Sequence, residues 1–223
     1  MKNDEKASRA QRILIVDDHA VVRHGLKELL SQEPGLEICG ETANAQEAMQ
    51  LVESLSPDLM IVDISLEESN GIDLIKRVRA RFPEVRALVA SMHDETLYAS
   101  RAVQAGAMGY VSKQEPVEKL LEAVRLVLRG EMYLSPTATA RLFRIRRAGE
   151  KKKVDSPLAE LSDRELEVFE AIGRGASTRA IADRMNLSVK TIETHREHIK
   201  RKLSLETNTE LIQRSFRWVL EQE

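Results

Sequence analysis

Apolar residues in this chain follow two regimes. Up to about residue 130, short runs such as Ile13-Leu14-Ile15-Val16, Leu59-Met60-Ile61-Val62 and Ala87-Leu88-Val89-Ala90 alternate with stretches of helical periodicity. Unbroken short runs suit strands buried on both faces. They predict strands near 12–16, 36–41, 58–63, 85–90 and 108–112. Amphipathic helices are predicted between them near 19–31, 44–55, 71–81, 95–105 and 116–129. Pro34-Gly35, Pro57, Asn70-Gly71, Pro83 and Pro116 supply the turn signals. Gly130 and Pro136 interrupt the pattern, and after Ser156-Pro157 only helices are predicted, near 162–173, 177–184, 188–202 and 207–221. Ser162 and Glu165 have capping-box spacing, and Ser177 and Ser188 are placed to cap the next two helices.

Five βα repeats imply an α/β doubly wound, five-stranded parallel sheet of the flavodoxin-like kind, covered by helices on both faces. An all-α four-helix domain follows. The predicted division is a disordered tail over 1–11, a sheet domain over 12–130, a linker over 131–157 and a helical domain over 158–223.

A length of 223 residues suits two small domains. No run approaches the ~20 apolar residues of a membrane span, and the polar N-terminus is not a signal peptide. Cys39 is the only cysteine, which excludes an internal disulfide, fits a reduced cytoplasmic setting and reads as core packing. The net charge of −2 conceals a segregation. Residues 1–140 carry 16 basic and 22 acidic side chains, 141–153 carry seven basic and one acidic, and 154–223 carry 11 and 13. The basic charge is concentrated in the linker, so any DNA binding by the helical domain rests on local placement.

The candidate chemistry lies at strand ends. Asp17-Asp18 closes the first apolar run and Asp63 the third. In an open parallel sheet the carboxyl ends of the strands form the ligand crevice, so three carboxylates converge there. Such a set binds a hard cation such as Mg²⁺, and one member can act as a nucleophile toward phosphorus. Ser91 closes the fourth strand and Lys113 the fifth, adding a hydroxyl and a cation on the same edge. His19, His24 and His93 have no metal-ligand spacing and no partnered nucleophile, and are read as structural or surface residues.

These residues, with Ala90-Ser91-Met92-His93-Asp94 and Ala105-Gly106-Ala107-Met108-Gly109-Tyr110, make 12–130 resemble the receiver domain of two-component response regulators. The resemblance implies that Asp63 accepts a phosphoryl group from a sensor histidine kinase. It implies that Asp18, Asp63 and the Ser65 carbonyl hold Mg²⁺, with Asp17 supporting through water. It implies that Tyr110 is a switch aromatic, turning inward when Ser91 moves to meet the phosphoryl group. Gln114 stands where many receivers have proline, and Leu66-Glu67-Glu68-Ser69 where many have Met-Pro. Glu67-Glu68 reads as a solvated loop.

In the helical domain, Ala180–Met185, a turn at Asn186-Leu187-Ser188 and a longer helix form a helix-turn-helix. At 100° per residue, Ile192, Ile199 and Leu203 share one side of that helix, opposite Lys190, Glu193, Thr194, Glu197 and Arg201. Leu161–Val168, Gly175, Ile181-Ala182 and Leu187–His195 make 158–220 resemble the LuxR-type helix-turn-helix of NarL/FixJ regulators. The predicted roles are phosphate contacts by Lys190, Thr191, Lys200 and Arg201, and base contacts by Glu193, Thr194 and Glu197. Part of the last helix's apolar stripe is expected to pack internally and the rest to form a dimer face.

The combined expectation is a cytoplasmic, non-enzymatic transcription factor. It binds double-stranded promoter DNA, acts as a homodimer when phosphorylated, and has RNA polymerase as a candidate partner. A Mg²⁺-dependent phosphohydrolase and a phosphorylation-independent DNA binder are the competing readings. The first lacks a visible second acid-base residue and lid; the second leaves the intact acid set unexplained.

Overall fold

Five parallel strands with helical crossovers build the N-terminal part of the molecule. The computed structural model describes residues 9–66, 69–148 and 157–220. The strands are β1 (Gln11–Val16), β2 (Leu36–Thr42), β3 (Leu59–Val62), β6 (Arg86–Ser91) and β7 (Gly109–Ser112), in the order β2-β1-β3-β6-β7. A two-residue antiparallel ladder, β4 (Ser65–Leu66) with β5 (Ser69–Asn70), lies outside this sheet. The sequence pattern did not predict it, because two residues per strand are too few to show a period. Its intervening Glu67-Glu68 lies outside the described residues.

Helices α1 (Ala20–Ser31) and α5 (Val117–Leu128) cover one face. Leu30, Leu120, Ala123, Val124 and Val127 pack there against Ile13, Ile15, Ile61, Leu88 and Val111. Helices α2 (Ala45–Leu55), α3 (Gly71–Arg81) and α4 (Glu95–Ala105) complete the domain. All four residues of β3 are buried, which explains why its sequence shows no alternation. Asn44, Asn70 and Asp94 cap α2, α3 and α4 by accepting from the first-turn amides of Glu47, Ile72 and Thr96. Strand order reverses between β1 and β3, and that switch point sets the acidic ends of both strands side by side.

Two boundary expectations change. Gln11 belongs to β1, and Arg9 pairs with Asp58 at 3.1 Å, so residues 9–11 are not a loose tail. The expected disorder of 1–8 falls outside the described residues. The chain divides into compact units at Leu142/Phe143, and helix α6 (Pro136–Ala148) runs through the stretch predicted as linker. Proline in its first turn and the Ser135 hydroxyl, which accepts from Ala138 N at 3.1 Å, favour a helix there.

The second unit contains a 3₁₀ turn (Pro157–Glu160), α7 (Asp163–Gly173), α8 (Thr178–Arg184), α9 (Val189–Leu203) and α10 (Asn208–Leu220). The Ser162/Glu165 capping box forms, and Ser177 and Ser188 cap α8 and α9 as predicted. Leu166, Phe169, Ile181, Ile192, Ile199, Leu211 and Val219 are buried in its core. Gly173 lets α7 approach α10 closely, since a Cβ there would lie 2.4 Å from the Ser215 carbonyl oxygen.

Candidate functional site

Register builds the acidic site. Val16 pairs with Val62 and Val62 with Val89, and Asp63 N donates to Val16 O at 2.9 Å. The residues after β1 and β3, Asp17 and Asp63, therefore leave the sheet at one level. Ser91 pairs with Ser112, and Lys113 N donates to Ser91 O at 2.9 Å, which brings the lysine to the same edge.

Asp63 is 4% exposed. Its Oδ1 accepts from Ser91 Oγ at 2.6 Å and from Ile64 N at 2.7 Å. Its Oδ2 pairs with Lys113 Nζ at 2.6 Å, and the same ammonium reaches Asp17 Oδ2 at 2.6 Å. Burial pulls the Lys113 pKa down, but the Asp63 and Asp17 carboxylates outweigh it and hold the lysine above its ordinary value. Burial chiefly, with help from the Asp63 and Asp17 charges, pushes Asp18 up against the opposing pull of His19.

The residue types fit a divalent cation. Three carboxylates face one ammonium, leaving a surplus of about two negative charges. Asp18 Oδ1 is buried without a hydrogen bond of normal geometry. Mg²⁺ takes oxygen donors of this kind. The Ser65 hydroxyl lies 2.9 Å from His93 Nε2.

Tyr110 was expected to turn inward on phosphorylation. It is already inward here, 1% exposed, with its hydroxyl donating to His93 O at 2.7 Å. A satisfied hydroxyl and a ring withdrawn from water stabilise that position. Ser91 is likewise already on Asp63.

Two contributors escaped the sequence reading. Gly71 begins α3, and a Cβ there would lie 1.9 Å from Asp63 O, so the acceptor's backbone needs glycine beside it. Asn70-Gly71 had signalled only a turn. His19, read as structural, stands with Nδ1 2.5 Å from Asp18 Oδ1. The adjacent Asp17-Asp18-His19 triplet at a strand end was the available signal.

On α9, Lys190, Glu193, Thr194, Glu197 and Arg201 are exposed together, opposite buried Ile192 and Ile199, while Leu203 is half-buried. Thr194 Oγ1 donates to Lys190 O at 3.0 Å, which leaves its methyl as the free group. Thr191 Oγ1 lies 2.8 Å from the capping Ser188 Oγ. Lys200 is less available than predicted: its side chain is 13% exposed and its ammonium is 2.9 Å from Glu197.

Helix α9 is seated partly by Glu165 of α7, which accepts from Lys202 Nζ at 2.6 Å and from Ser162 N at 2.7 Å. Burial raises the Glu165 pKa, but the Lys202 and Ser162 hydrogen bonds outweigh it and hold the carboxyl below its ordinary range. His195 Nδ1 is buried without a hydrogen bond, and burial first of all pulls its imidazole down. No helix among the described residues is long and apolar enough to cross a membrane.

An acidic pocket at the switch point of a parallel sheet, followed by a helix-turn-helix with an exposed polar face, defines a regulator with an input and a DNA-binding unit. Residues 13–125 match the response regulator receiver domain, and 159–215 match the bacterial regulatory proteins of the luxR family. The chain belongs to the response regulators, with a receiver domain and a LuxR-type DNA-binding domain. It is 35% identical to the oxygen regulatory protein NreC of Staphylococcus carnosus (strain TM300), over 91% of this chain and 95% of that one. It is 31% identical to the transcriptional regulatory protein DegU of Brevibacillus brevis, over 97% and 98%. Among solved structures, RcsB from Salmonella enterica serovar Typhimurium, bound to promoter rprA in the presence of phosphomimetic BeF₃⁻, is similar. That likeness has a TM-score of 0.60 at 25% identity and covers 92% of this chain and 98% of RcsB. A LuxR-family two-component response regulator from Aurantimonas sp. SI85-9A1 gives a TM-score of 0.57 at 33% identity, covering 61% and 97%.

Proposed function

We propose that this chain is a two-component transcription regulator switched by transfer of a phosphoryl group from a sensor histidine kinase to Asp63. The supporting observation is the convergence of Ser91 Oγ, Ile64 N and Lys113 Nζ on the Asp63 carboxylate, beside Asp17 and Asp18. An Asp63 oxygen forms a bond to phosphorus as the bond to the donor's imidazole nitrogen breaks, and the electron pair stays on that nitrogen. Ser91 passes its hydrogen bond from the carboxylate to a phosphoryl oxygen, and Lys113 neutralises part of the new charge. Asp18, Asp63 and Ser65 would hold Mg²⁺, with Asp17 in support, and bound Mg²⁺ would supply positive charge against the phosphoryl oxygens.

The receiver spans 12–130 in this reading and the DNA-binding domain 158–223, with 131–157 connecting them. Lys190, Thr191, Lys200 and Arg201 contact DNA phosphates, and Glu193, Thr194 and Glu197 meet bases. For Lys200 this requires leaving Glu197. Relatives support a dimeric, DNA-bound output: one solved structure holds two RcsB dimers on two parallel DNAs. Promoter DNA as ligand would place the chain in the cytoplasm, with RNA polymerase as a candidate contact.

The test compares wild type with Asp63→Asn, with and without acetyl phosphate and Mg²⁺, by intact mass and by binding to duplexes selected from random sequence. Wild type should gain one phosphoryl group and bind DNA about tenfold more tightly, within the range of allosteric couplings. The variant should do neither. Equal binding by both proteins, whatever the donor, would sink the switch.

A further inference from the structure

We propose that His19 is a ligand of the cation in the acid site, and that its imidazole tilts this site toward first-row transition cations. The inference rests on reading Asp17, Asp18 and Asp63 as a cation site, and extends that reading to a residue the family comparison does not assign. Among the described residues, one group places four donors together: Asp17, Asp18, His19 and Asp63 offer ligand atoms within 4.8 Å of one another. His19 Nδ1 is 2.5 Å from Asp18 Oδ1 and 3.6 Å from Asp17 Oδ1. The ring has no competing task at the helix terminus. His19 occupies the cap position of α1, yet its side chain makes no capping hydrogen bond, and it is 65% exposed. Its backbone N–H separately donates to Asp17 Oδ1 at 2.9 Å, so the residue's place beside the acids survives removal of the ring. The buried Asp18 Oδ1 has no hydrogen bond of normal geometry and faces the His19 ring, so the two ligand atoms lie on one side of the acid group.

The chemistry follows from donor type. Mg²⁺ prefers oxygen donors and keeps several waters, and gains little from an imidazole. Co²⁺, Ni²⁺ and Zn²⁺ bind imidazole nitrogen well and stand higher in the order of divalent affinities. Carboxylates alone serve both groups; one added nitrogen separates them.

The full-length chain would be titrated calorimetrically with MgCl₂ and, separately, with CoCl₂. His19→Asn should weaken Co²⁺ by about tenfold or more, as loss of a nitrogen donor would, and change Mg²⁺ by less than about twofold. The Co²⁺-shifted imidazole N–H proton resonance should be present in wild type and absent in this variant. His24→Asn, at an exposed position on α1, should leave Co²⁺ binding unchanged. Equal weakening of both cations by His19→Asn, no weakening of either, or Co²⁺ loss in His24→Asn would overturn the assignment. Failure of wild type to bind Mg²⁺ would overturn the acid-site reading itself, and this inference with it. Mg²⁺ binding with Co²⁺ indifferent to His19 would remove only the histidine.

Discussion

Gly71 constrains Asp63 although eight positions separate them. A methyl group there would occupy the space of the Asp63 carbonyl oxygen, a backbone atom of the strand end that carries the acceptor. Gly71→Ala should therefore cost about 1–3 kcal/mol, the range for overpacking. It should also lower the fraction of chain phosphorylated by acetyl phosphate, measured by urea unfolding and by intact mass. Normal stability with normal phosphorylation would show that the strand end yields without cost. The acids, Ser91 and Lys113 were legible because each follows an apolar run, where strand ends are predicted. Gly71 was not, because its role is a distance across a loop and the sequence carries no distances. The inward position of Tyr110 was unreadable for a similar reason: a side chain's rotamer depends on whether an acceptor such as the His93 carbonyl stands within reach.

Periodicity at the scale of the element settled α9. Its two faces were predictable at 100° per residue, and the structure keeps them. Lys190 is exposed at its N-terminal end, so Lys190→Ala should weaken binding to all duplexes alike and reduce the slope of log affinity against log salt by about 1. A loss confined to one duplex sequence would instead make Lys190 a base reader. The inner side of the helix carries a pH dependence. His195 has a folded-state pKa below the ordinary imidazole value of about 6.5. Its neutral form is favoured on folding, so this contribution to stability is present above about pH 6.5 and lost as pH falls through the folded value. Trp218, the only tryptophan, packs on Phe169 at 5.8 Å between ring centroids and reports this unit alone. The melting temperature read from its fluorescence should drop on acidification from pH 7.5 to 5.5, and His195→Gln should flatten that drop. A profile unchanged by the substitution would locate the titration elsewhere. The helix α6 was hidden by its charge: a basic stretch reads alike in composition as helix or as tether, and the Ser135 cap distinguishes them only once seen.

At the scale of the molecule, α10 sorts its apolar residues by partner. Leu211, Ser215 and Val219 are buried against the other helices, whereas Ile212, Phe216 and Leu220 are about half exposed at four-residue spacing. The sequence offered both triplets as one stripe. In the dimeric reading the exposed one is the shared face. Phe216→Asp should then leave the fold intact and abolish the phosphorylated dimer in sedimentation velocity, with a parallel loss of DNA affinity. A dimer persisting at the same concentration would move the interface off this helix.

The sequence by itself determined the architecture of both units, because burial period, caps and turn residues are local and each element agrees with its neighbours. It also determined which chemical groups gather at the sheet edge, since strand order in such folds fixes where the carboxyl ends lie. Only the tertiary structure decided which groups touch: Lys113 between two carboxylates, Ser91 on Asp63, His19 against Asp18, Gly71 under the acceptor carbonyl, and Lys200 held by Glu197. The lysine and serine contacts join residues remote in the chain, and the others depend on how neighbouring side chains and backbone are turned, so each separation of a few ångströms exists only after packing has fixed the backbone.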